Sequence, residues 1–573
     1  MNKVVRINTR SKEIIQEEVK VNYGRFGGRG LIAKMMTDEV DPQCPPLGEK
    51  NLLIIATGLF AGTSLPTAHR LSIGGKSPLT GGIKEANVGG TAAAQLAKHG
   101  IKMLVFEGLP EDEQWSVLRI GSDSSLELLA ADQYFGLNNY ELVERIHEEY
   151  GEKTSVVSIG AAGERQYKNA SIQVTDNATG HPARAAARGG LGAVMGSKKI
   201  KAIIIEKAEN PLKFEYENAD GFKAARSQMI DTIRNNPMTG QGLAAVGTPM
   251  FADITASIGA LPVRNFSGEK FERVDEIDSK AFLTKMAQNG GKTGVACQAG
   301  CIIRCSNIYN DTQGEFVTSG LEYETLALFG PNCDITDWDA IAEFDRLCDD
   351  LGVDTIEVGN SIALCMEAGK LPWGDVQGAL GLVHEMMAGS DFGNLLGEGT
   401  ETVGKNLGVK RIPTVKGQAL AAYDPRALKG TGVTYATSTM GADHTCGVTV
   451  GKESQDKKEG QVELSRGLQV AMALADNTMC LFAFSGISSN LEILPKLMEA
   501  VHGGSWDINQ VMNIGVETLM LERAFNKAAG FTSADDRLPE FFYQETAPLA
   551  GTVFDVEQVE LAKTLDFSVP AHA

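Results

Sequence analysis

The segment Cys297-Gln-Ala-Gly-Cys301-Ile-Ile-Arg-Cys305 holds three of the nine cysteines, and Cys480 follows far downstream in Asp476-Asn-Thr-Met-Cys480. Thiolates are soft ligands that hold iron–sulfur clusters or zinc. Three of them in so short a stretch surround one centre only when a distant fourth ligand completes the set. The pattern therefore predicts a metal–sulfur centre held between two remote segments of the chain.

Buried structural thiols and a zinc site are the alternatives for these cysteines. Free cysteine is often a buried small hydrophobe, and structural zinc also binds thiolates. Zinc sites, however, usually pair their ligands as two close doublets rather than as a triplet and a singlet. The last gap of the triplet is also wider than in radical-type iron–sulfur enzymes. An iron–sulfur cluster is the favoured interpretation.

The composition indicates a soluble globular protein of several domains. At 573 residues the chain is too long for one ordinary core, and 43% of its residues are hydrophobic and 22% charged. The longest apolar run, residues 51–62, is short and broken by Thr and Gly, so we expect no membrane span. No signal-peptide core follows Met1, which predicts a cytoplasmic protein with reduced thiols. The net charge of −20 argues against nucleic-acid binding.

The sequence pattern changes from strand-like to helical near residue 208. Before it, short β-like runs are separated by Gly, Pro and Asp turns. Beyond it, helical periodicity dominates and is clearest at 222–233, 338–351, 356–368, 462–475 and 491–501. We therefore predict an α+β protein with a β-rich first domain and two mainly helical domains. Their predicted bounds are 1–208, 209–415 and 416–573.

The predicted helix at 338–351 ends on two acidic residues. Thr336 is its expected N-cap and Gly352 its stop. Asp349 and Asp350 lie in its last turn, where the helix dipole disfavours anions by roughly 0.3–1 kcal/mol. A ligand with hydrogen-bond donors would explain this placement, and a solvated pair of carboxylates is the alternative.

Glycine-rich segments beside basic residues predict contact with a large polyanionic cofactor. The loop GLGAVMG at 190–196 precedes a strand-like run instead of following one, so the order is wrong for a Rossmann fingerprint. Its backbone donors and Lys198 or Lys199 can still meet phosphate. Arg70, ahead of residues 76–90, provides a second such surface.

Seven further motifs accompany the cysteines in order along the chain. They are Arg70 with Gly75-Lys-Ser-Pro-Leu-Thr-Gly81, Asn87-Val-Gly-Gly90, Arg188-Gly-Gly-Leu-Gly-Ala-Val-Met-Gly-Ser-Lys198, Glu322-Tyr-Glu324, Asp349-Asp-Leu-Gly352-Val-Asp354, Tyr423-Asp-Pro-Arg426 and Gly441-Ala-Asp-His444. Together with the cysteines, they resemble the tungsten-containing aldehyde ferredoxin oxidoreductases. The resemblance extends from about residue 20 to 490.

The resemblance implies a mononuclear tungsten, or sometimes molybdenum, held by the dithiolenes of two pyranopterins beside a 4Fe–4S cluster. It also implies that the β-rich domain forms a base for this bis-pterin cofactor and that the helical domains close over the other side. The implied cluster ligands are Cys297, Cys301, Cys305 and Cys480.

The same resemblance assigns residues to the organic cofactor. The residues expected to hydrogen-bond pterin edges are Asp349, Asp354 and Asp476. Arg70 and Arg184 would face the pterins or their phosphates, and the carbonyls of Asn87 and Ala185 would hold a magnesium ion between phosphates, as suits a hard cation. The remaining implied cofactor-binding residues are Gly89, Gly90, Ala186 and Met479.

Glu324 and His444 resemble the acid–base pair of aldehyde-oxidising members, with Tyr323 as a third donor. Oxidising an aldehyde to an acid adds one water oxygen and removes two electrons with protons, so a carboxylate can take protons while an imidazole steadies an oxygen. The expected enzyme interconverts aldehydes and carboxylic acids and passes electrons to ferredoxin or an iron–sulfur partner subunit. Without the resemblance, His444 and Glu324 would be interpreted as ordinary structural or solvated residues.

The chain departs from the family pattern in three places. Its triplet is spaced x3-x3 rather than x2-x3, and Asp476 lies one residue nearer Cys480 than in the usual D-x-x-G-L-C. Glu343-Phe-Asp-Arg346 stands where some homodimeric members carry an iron-binding E-x-x-H, so we expect no interface iron and leave a homodimer open. Two alternatives also stay open, which are reduction of an activated aromatic such as an aryl-CoA thioester and a non-catalytic electron-transfer subunit.

Overall fold

Two six-stranded sheets form the first third of the protein. The structure is a computed structural model that describes residues 3–452 and 455–567. The strands of the first sheet are β1 (Lys3–Asn8), β2 (Glu13–Glu18), β3 (Leu53–Thr57), β4 (Leu71–Lys76), β5 (Ile83–Val88) and β6 (Ile101–Glu107). Their order is β2-β1-β6-β3-β4-β5, with β1 parallel to β6 and the other pairs antiparallel. The β-rich start predicted from the sequence is confirmed.

The second sheet packs on one face of the first. Its strands are β7 (Ser116–Ile120), β8 (Leu126–Ala130), β9 (Ser155–Ser158), β10 (Ile172–Val174), β11 (Arg184–Ala186) and β12 (Ile200–Ile205). Their order is β11-β10-β9-β12-β7-β8. Side chains of a strand alternate between faces, so Leu53 and Ile55 of β3 enter the core shared with this sheet. Ile54 and Ala56 enter a second core, shared with helices.

Helices dominate the rest of the chain. Those of the first third are α1 (Gly28–Glu39), α2 (Ala92–Lys98), α3 (Asn139–Tyr150), α4 (Ala161–Glu164) and α5 (Leu191–Ser197). Those that follow up to residue 407 are α6 (Ala219–Asn235), α7 (Leu243–Ala245), α8 (Phe251–Ser257), α9 (Ser279–Gln288), α10 (Tyr323–Phe329), α11 (Trp338–Leu351), α12 (Thr355–Glu367), α13 (Val376–Ala388), α14 (Asp391–Gly397) and α15 (Thr400–Leu407). The last are α16 (Lys429–Thr437), α17 (Gln461–Thr478), α18 (Leu481–Gly486), α19 (Ile493–His502), α20 (Ile508–Ala529), α21 (Phe541–Gln544) and α22 (Gln558–Leu561).

Five short strands interrupt the helical part. They are β13 (Lys292–Val295), β14 (Ser306–Asn310), β15 (Phe316–Ser319), β16 (Thr414–Val415) and β17 (Gln418–Ala419). The first three pair as an antiparallel sheet around the cysteine triplet, and the last two form a hairpin. Among the described residues, no helix is long and apolar enough to cross a lipid bilayer.

Helix α11 has the predicted bounds but a different N-cap. The Asp337 carboxylate, not Thr336, accepts hydrogen bonds of 3.0 Å from the Asp339 N–H and 3.3 Å from the Ala340 N–H. Thr336 instead donates its hydroxyl to Glu276. The prediction was wrong because the residue directly before the first helical turn reaches its free N–H groups, and here that residue is also a good capping type. Gly352 ends the helix with φ of +79°, as predicted.

The site is assembled where the edges of the two sheets meet. Strand β5 is one edge of the first sheet, β11 is one edge of the second, and the two strands are in contact. An edge strand leaves part of its backbone N–H and C=O groups outside any ladder. Asn87 and Ala185, the two residues predicted to offer carbonyls to a cation, lie on these facing edges.

Candidate active site

The four predicted cluster cysteines are all buried and lie against the same part of the N-terminal sheets. The triplet occupies the loop between β13 and β14, and Cys480 is the N-cap of α18. The backbone N–H of Cys480 donates to the carbonyl of Thr67 at 3.0 Å. The carbonyl of Cys297 accepts from the Gly90 N–H at 2.8 Å. The cysteine loop and the start of α18 are therefore both anchored on the first sheet.

Small residues allow this close approach. A Cβ atom at Gly89 would lie 3.4 Å from the Cys297 sulfur and 3.1 Å from the Arg70 guanidinium. Gly90 has φ of +86°, and a Cβ there would lie 2.7 Å from the carbonyl oxygen of Thr175. Gly90 has no room for a side chain, and a side chain at Gly89 would require Arg70 or Cys297 to shift.

The thiols and their basic neighbours are electrostatically linked. A hydrogen bond from Cys301, together with the cations Arg184 and Arg70, outweighs burial and lowers the pKa of Cys297 to about 6. Burial raises the pKa of Cys305 and of Cys480, and in both the Cys297 thiolate adds to the rise. Among the described residues, no three His, Cys, Asp or Glu side chains lie close enough together to hold a single metal ion. Cys297 interacts electrostatically with each of the other three thiols.

Glu324 and His444 come together from segments 120 residues apart. Glu324 lies in the first turn of α10, and its Oε1 is 3.4 Å from His444 Nε2. Its Oε2 accepts a 2.7 Å hydrogen bond from the Ala422 N–H. Within the described residues, neither Glu324 Oε1 nor His444 Nδ1 has a hydrogen-bond partner. Burial raises the pKa of Glu324, and the nearby His444 opposes that rise.

Tyr323 lies beside this pair, but its hydroxyl is bound to protein groups. The hydroxyl donates to the Ala422 carbonyl at 2.7 Å and lies 2.8 Å from the Thr255 hydroxyl. The Ala422 peptide therefore holds Tyr323 through its carbonyl and Glu324 through its N–H. The part of Tyr323 in catalysis stays a prediction.

The three predicted pterin aspartates have different surroundings. Asp354 caps α12 by accepting from the Ile356 N–H at 2.9 Å, and its other oxygen is 3.3 Å from Arg188 Nε. Asp476 pairs with Arg29 at 3.2 Å, and burial raises its pKa to about 6.

Asp349 differs from both in its contacts. Within the described residues its carboxylate has no hydrogen bond or ion pair, and burial together with Asp345 raises its pKa well above the ordinary range, against the opposing charges of Arg184 and Arg346. In the same part of the chain, the nearby Tyr140 hydroxyl is buried without a hydrogen-bond partner. Buried polar groups normally find partners, so this end of α11 has the unfilled hydrogen-bonding capacity that a ligand would use.

The predicted phosphate-side residues form a basic patch at the sheet edges. Arg70 donates to the Asn87 side chain at 2.5 Å and to the Asn87 carbonyl at 3.1 Å. Arg184 pairs with Asp176 at 2.5 Å and donates to Ser306. The other predicted cofactor-binding residues nearby are Ala185 and Ala186 in β11 and the buried Met479 at the end of α17.

The two lysines predicted near phosphate do not join this patch. Lys198 donates to the Gly108 carbonyl at 3.0 Å, and Lys199 donates to the Asp112 carbonyl at 2.6 Å. Both ammonium groups bind the loop between β6 and β7. Sequence proximity to the glycine loop does not fix the direction of a long side chain, and contact of these lysines with phosphate stays a prediction.

Several residues that position the site have no motif of their own. Arg29 binds Glu522 with two hydrogen bonds of 2.8 and 2.9 Å and also holds Asp476. Lys84 binds Asp443, the neighbour of His444. The sequence signal for Lys84 was its position, next to Glu85, inside the strand-like run Ile83-Lys-Glu-Ala-Asn-Val88. Charged residues are rarely buried unless they are paired, so a charge in a buried strand indicates a partner.

Comparisons with known proteins agree with this architecture. The family model of the aldehyde ferredoxin oxidoreductase N-terminal domain matches residues 4–207, and that of domains 2 and 3 matches residues 224–566. The tungsten-containing aldehyde ferredoxin oxidoreductase of Pyrococcus furiosus is 33% identical, over 95% of this chain and 91% of its own length. That of Thermococcus kodakarensis is 32% identical, over 95% and 91%.

Two more distant proteins share parts of the pattern. The aliphatic sulfonate oxidoreductase WOR-like subunit of Pyrococcus furiosus is 26% identical, over 76% of this chain and 72% of its own length. The active-site complex BamBC of benzoyl-coenzyme A reductase with 1,5-dienoyl-CoA superposes with a TM-score of 0.82 at 19% identity, covering 98% of this chain and 93% of its own. At that identity the likeness shows the fold alone.

The protein has a β-rich base, a helical remainder and a buried site with thiols, carboxylates and basic residues. This is the architecture of the oxidoreductase family that both family models describe. The chain belongs to the aldehyde ferredoxin oxidoreductase family and is an oxidoreductase enzyme.

Proposed function

We propose that this enzyme interconverts an aldehyde and a carboxylic acid and exchanges electrons with ferredoxin or an iron–sulfur partner subunit. The observation that carries the proposal is the Glu324–His444 pair, in which a carboxylate and an imidazole face each other at 3.4 Å. Each retains a buried atom without a hydrogen-bond partner in the described part of the chain. The unpartnered Glu324 oxygen is the one that faces the imidazole, so it is free to accept a proton.

The side chains present fit a tungsten bis-pyranopterin and a 4Fe–4S cluster. Four buried thiols supply soft ligands, and the unpartnered carboxylate of Asp349 can accept from pterin N–H groups. The carbonyls of Asn87 and Ala185, on the facing sheet edges, are hard donors that would suit a magnesium ion. When bound, the tungsten group supplies two-electron redox chemistry and the cluster supplies one-electron transfer to the external partner.

The protein's own groups handle the protons of this reaction. An aldehyde and water give a carboxylic acid, two protons and two electrons. Glu324 in its ionised form accepts a proton from the attacking water, and its raised pKa makes it a better base near neutral pH. His444 donates a hydrogen bond to the substrate oxygen and thereby favours attack at the carbonyl carbon. The Ala422 N–H keeps the carboxylate in place at 2.7 Å.

The proposal is tested on enzyme purified without oxygen. Tungsten, molybdenum, iron and magnesium are quantified per chain, and turnover is followed with a viologen dye on aliphatic and aromatic aldehydes. We expect one tungsten, about four irons by the ligation of one 4Fe–4S cluster, and aldehyde-dependent dye reduction. If the fully metallated enzyme oxidises no aldehyde but reduces an aryl-CoA thioester, the aromatic-reducing alternative replaces this proposal.

A further inference from the structure

A fully buried lysine reaches from the first sheet to the loop that carries His444. Lys84 of β5 places its Nζ 2.5 Å from Asp443 Oδ2, and the two side chains are 0% and 4% exposed. The aliphatic stem of Lys84 lies against Gly189, where a Cβ would overlap it. We propose that Lys84 is a positioning residue that acts through Asp443 to hold His444 opposite Glu324.

Asp443 uses both carboxylate oxygens. Its Oδ2 binds Lys84, and its Oδ1 accepts from the Thr445 N–H at 3.1 Å and from the Thr445 hydroxyl at 2.8 Å. The second set of bonds closes the short turn His444–Cys446. The lysine therefore fixes the residue before His444, and that residue fixes the turn on which His444 is mounted.

The residue before Asp443 is also held by hydrogen bonds. The carbonyl of Ala442 accepts from Arg188 Nη1 at 2.5 Å and from Gln418 Nε2 at 3.2 Å. The peptide of Ala442 and the side chain of Asp443 thus give the loop two independent anchors. Since Glu324 is fixed separately at Ala422, the 3.4 Å gap to His444 depends on where these anchors place the loop.

Lys84 also affects the net charge beside the Glu324–His444 pair. The groups that face Asp443 are Lys84 from β5, Arg188 after β11, Asp476 from α17, Glu324 from α10, and His444 and Cys446 from its own turn. Burial opposes ionisation of Asp443, but Lys84 and Arg188 outweigh it and hold its pKa well below the ordinary range. The Asp443 anion in turn raises the pKa of Glu324.

The test compares Lys84→Met, Asp443→Asn and the double variant in the metallated enzyme. The acid–base role of His444 and Glu324 rests on the proposed function, so kinetics are paired with crystal structures that do not depend on it. In Lys84→Met we expect the loop to shift, the Glu324–His444 distance to lengthen, and kcat to fall about 10- to 100-fold, the range for a reacting group displaced by an ångström. The tungsten and iron contents should not change.

The pH dependence of kcat/KM distinguishes an effect of the Lys84 charge from simple disorder of the His444 loop. Removing the lysine cation leaves Asp443 with Arg188 and adds net negative charge, so the acid limb of kcat/KM should move to higher pH. Asp443→Asn leaves an extra cation and should move the same limb to lower pH. The double variant should return the limb toward the wild-type position while kcat stays low.

A matched control uses a buried ion pair in the other sheet. Lys201 of β12 pairs with Glu164 at 2.5 Å, with exposures of 0% and 8%. Lys201→Met should lower thermal stability but leave the pH limb and the Glu324–His444 distance unchanged. An unmoved His444 loop in the Lys84→Met crystal structure would overturn the inference, whatever the substrate proves to be. A wild-type enzyme inactive on aldehydes would instead remove the proposed function.

Discussion

The carbonyl oxygen of Thr67 accepts a 3.0 Å hydrogen bond from the backbone N–H of Cys480. The same oxygen lies 3.4 Å from Nε2 of Gln298, the residue after the first cysteine of the triplet. One carbonyl of the N-terminal region thus contacts both segments that carry cluster ligands. Thr67 has φ of +62°, an uncommon conformation for a residue with a branched side chain. The start of α18 and the first part of the cysteine loop are therefore both held by the segment between β3 and β4.

Cys480→Ala should remove one of four thiolates and with it the intact cluster. We expect the iron content to fall below about four per chain or the cluster to convert to a three-iron form. Iron analysis and the spin-resonance signal of the reduced enzyme measure this. Cys365→Ala, which removes a buried thiol from α12, is the control and should keep the signal. An unaltered signal in Cys480→Ala would exclude this residue as a ligand.

Asp349→Asn should lower cofactor occupancy. The substitution keeps the size of the side chain but replaces an acceptor oxygen by a donor, so pterin N–H groups lose a partner. Tungsten and pterin content per chain are the measurements. Asp350→Asn is the matched control, because the Asp350 carboxylate accepts from the Tyr140 N–H at 2.9 Å and the amide oxygen of an asparagine can do the same. Full tungsten and pterin content in Asp349→Asn would show that the carboxylate does not hold the cofactor.

Glu324→Gln should reduce turnover by about 10²–10⁴-fold, the usual contribution of a positioned general base. Metal and pterin content should stay intact, since the Gln amide oxygen can still accept from Ala422. The group must be ionised to accept a proton, so wild-type kcat/KM should rise with pH through a pKa above the ordinary Glu value. His444→Gln removes a group that lowers this pKa, and the acid limb should move further up. Near-normal aldehyde oxidation by metallated Glu324→Gln would exclude this base.

Glu85 should make stability depend on pH. Burial, followed by the charge of Asp476, raises the pKa of Glu85 from 4.5 to about 8. Between these values the folded state binds more protons than the unfolded state, so stability falls as pH rises, by at most about 1.4 kcal/mol per pH unit for one proton. Glu85→Gln should flatten the decline in thermal midpoint between pH 5 and 8. The same slope in wild type and variant would contradict a buried, titrating Glu85.

Much of the architecture was predicted from local pattern. The clearest helical periodicities correspond to α6, α11, α12, α17 and α19, and the β-like runs correspond to strands of the first two sheets. The N-cap of α11 was placed one residue early because two adjacent residues can both cap, and only the geometry of the first turn selects between them. The domain bounds at 208 and 415 and the roles of the site residues stay predictions.

The sequence by itself determined the family, the cysteine set and the alternation that builds two buried sheets, because ligand spacing and side-chain period are local properties of the chain. Only the tertiary structure decided how the site is held. Lys84 meets Asp443 across 359 residues, and Arg29 meets Glu522 across 493. A buried charge is stable only beside its partner. Because that partner can come from any segment of the chain, no local sequence pattern predicts which pair will form.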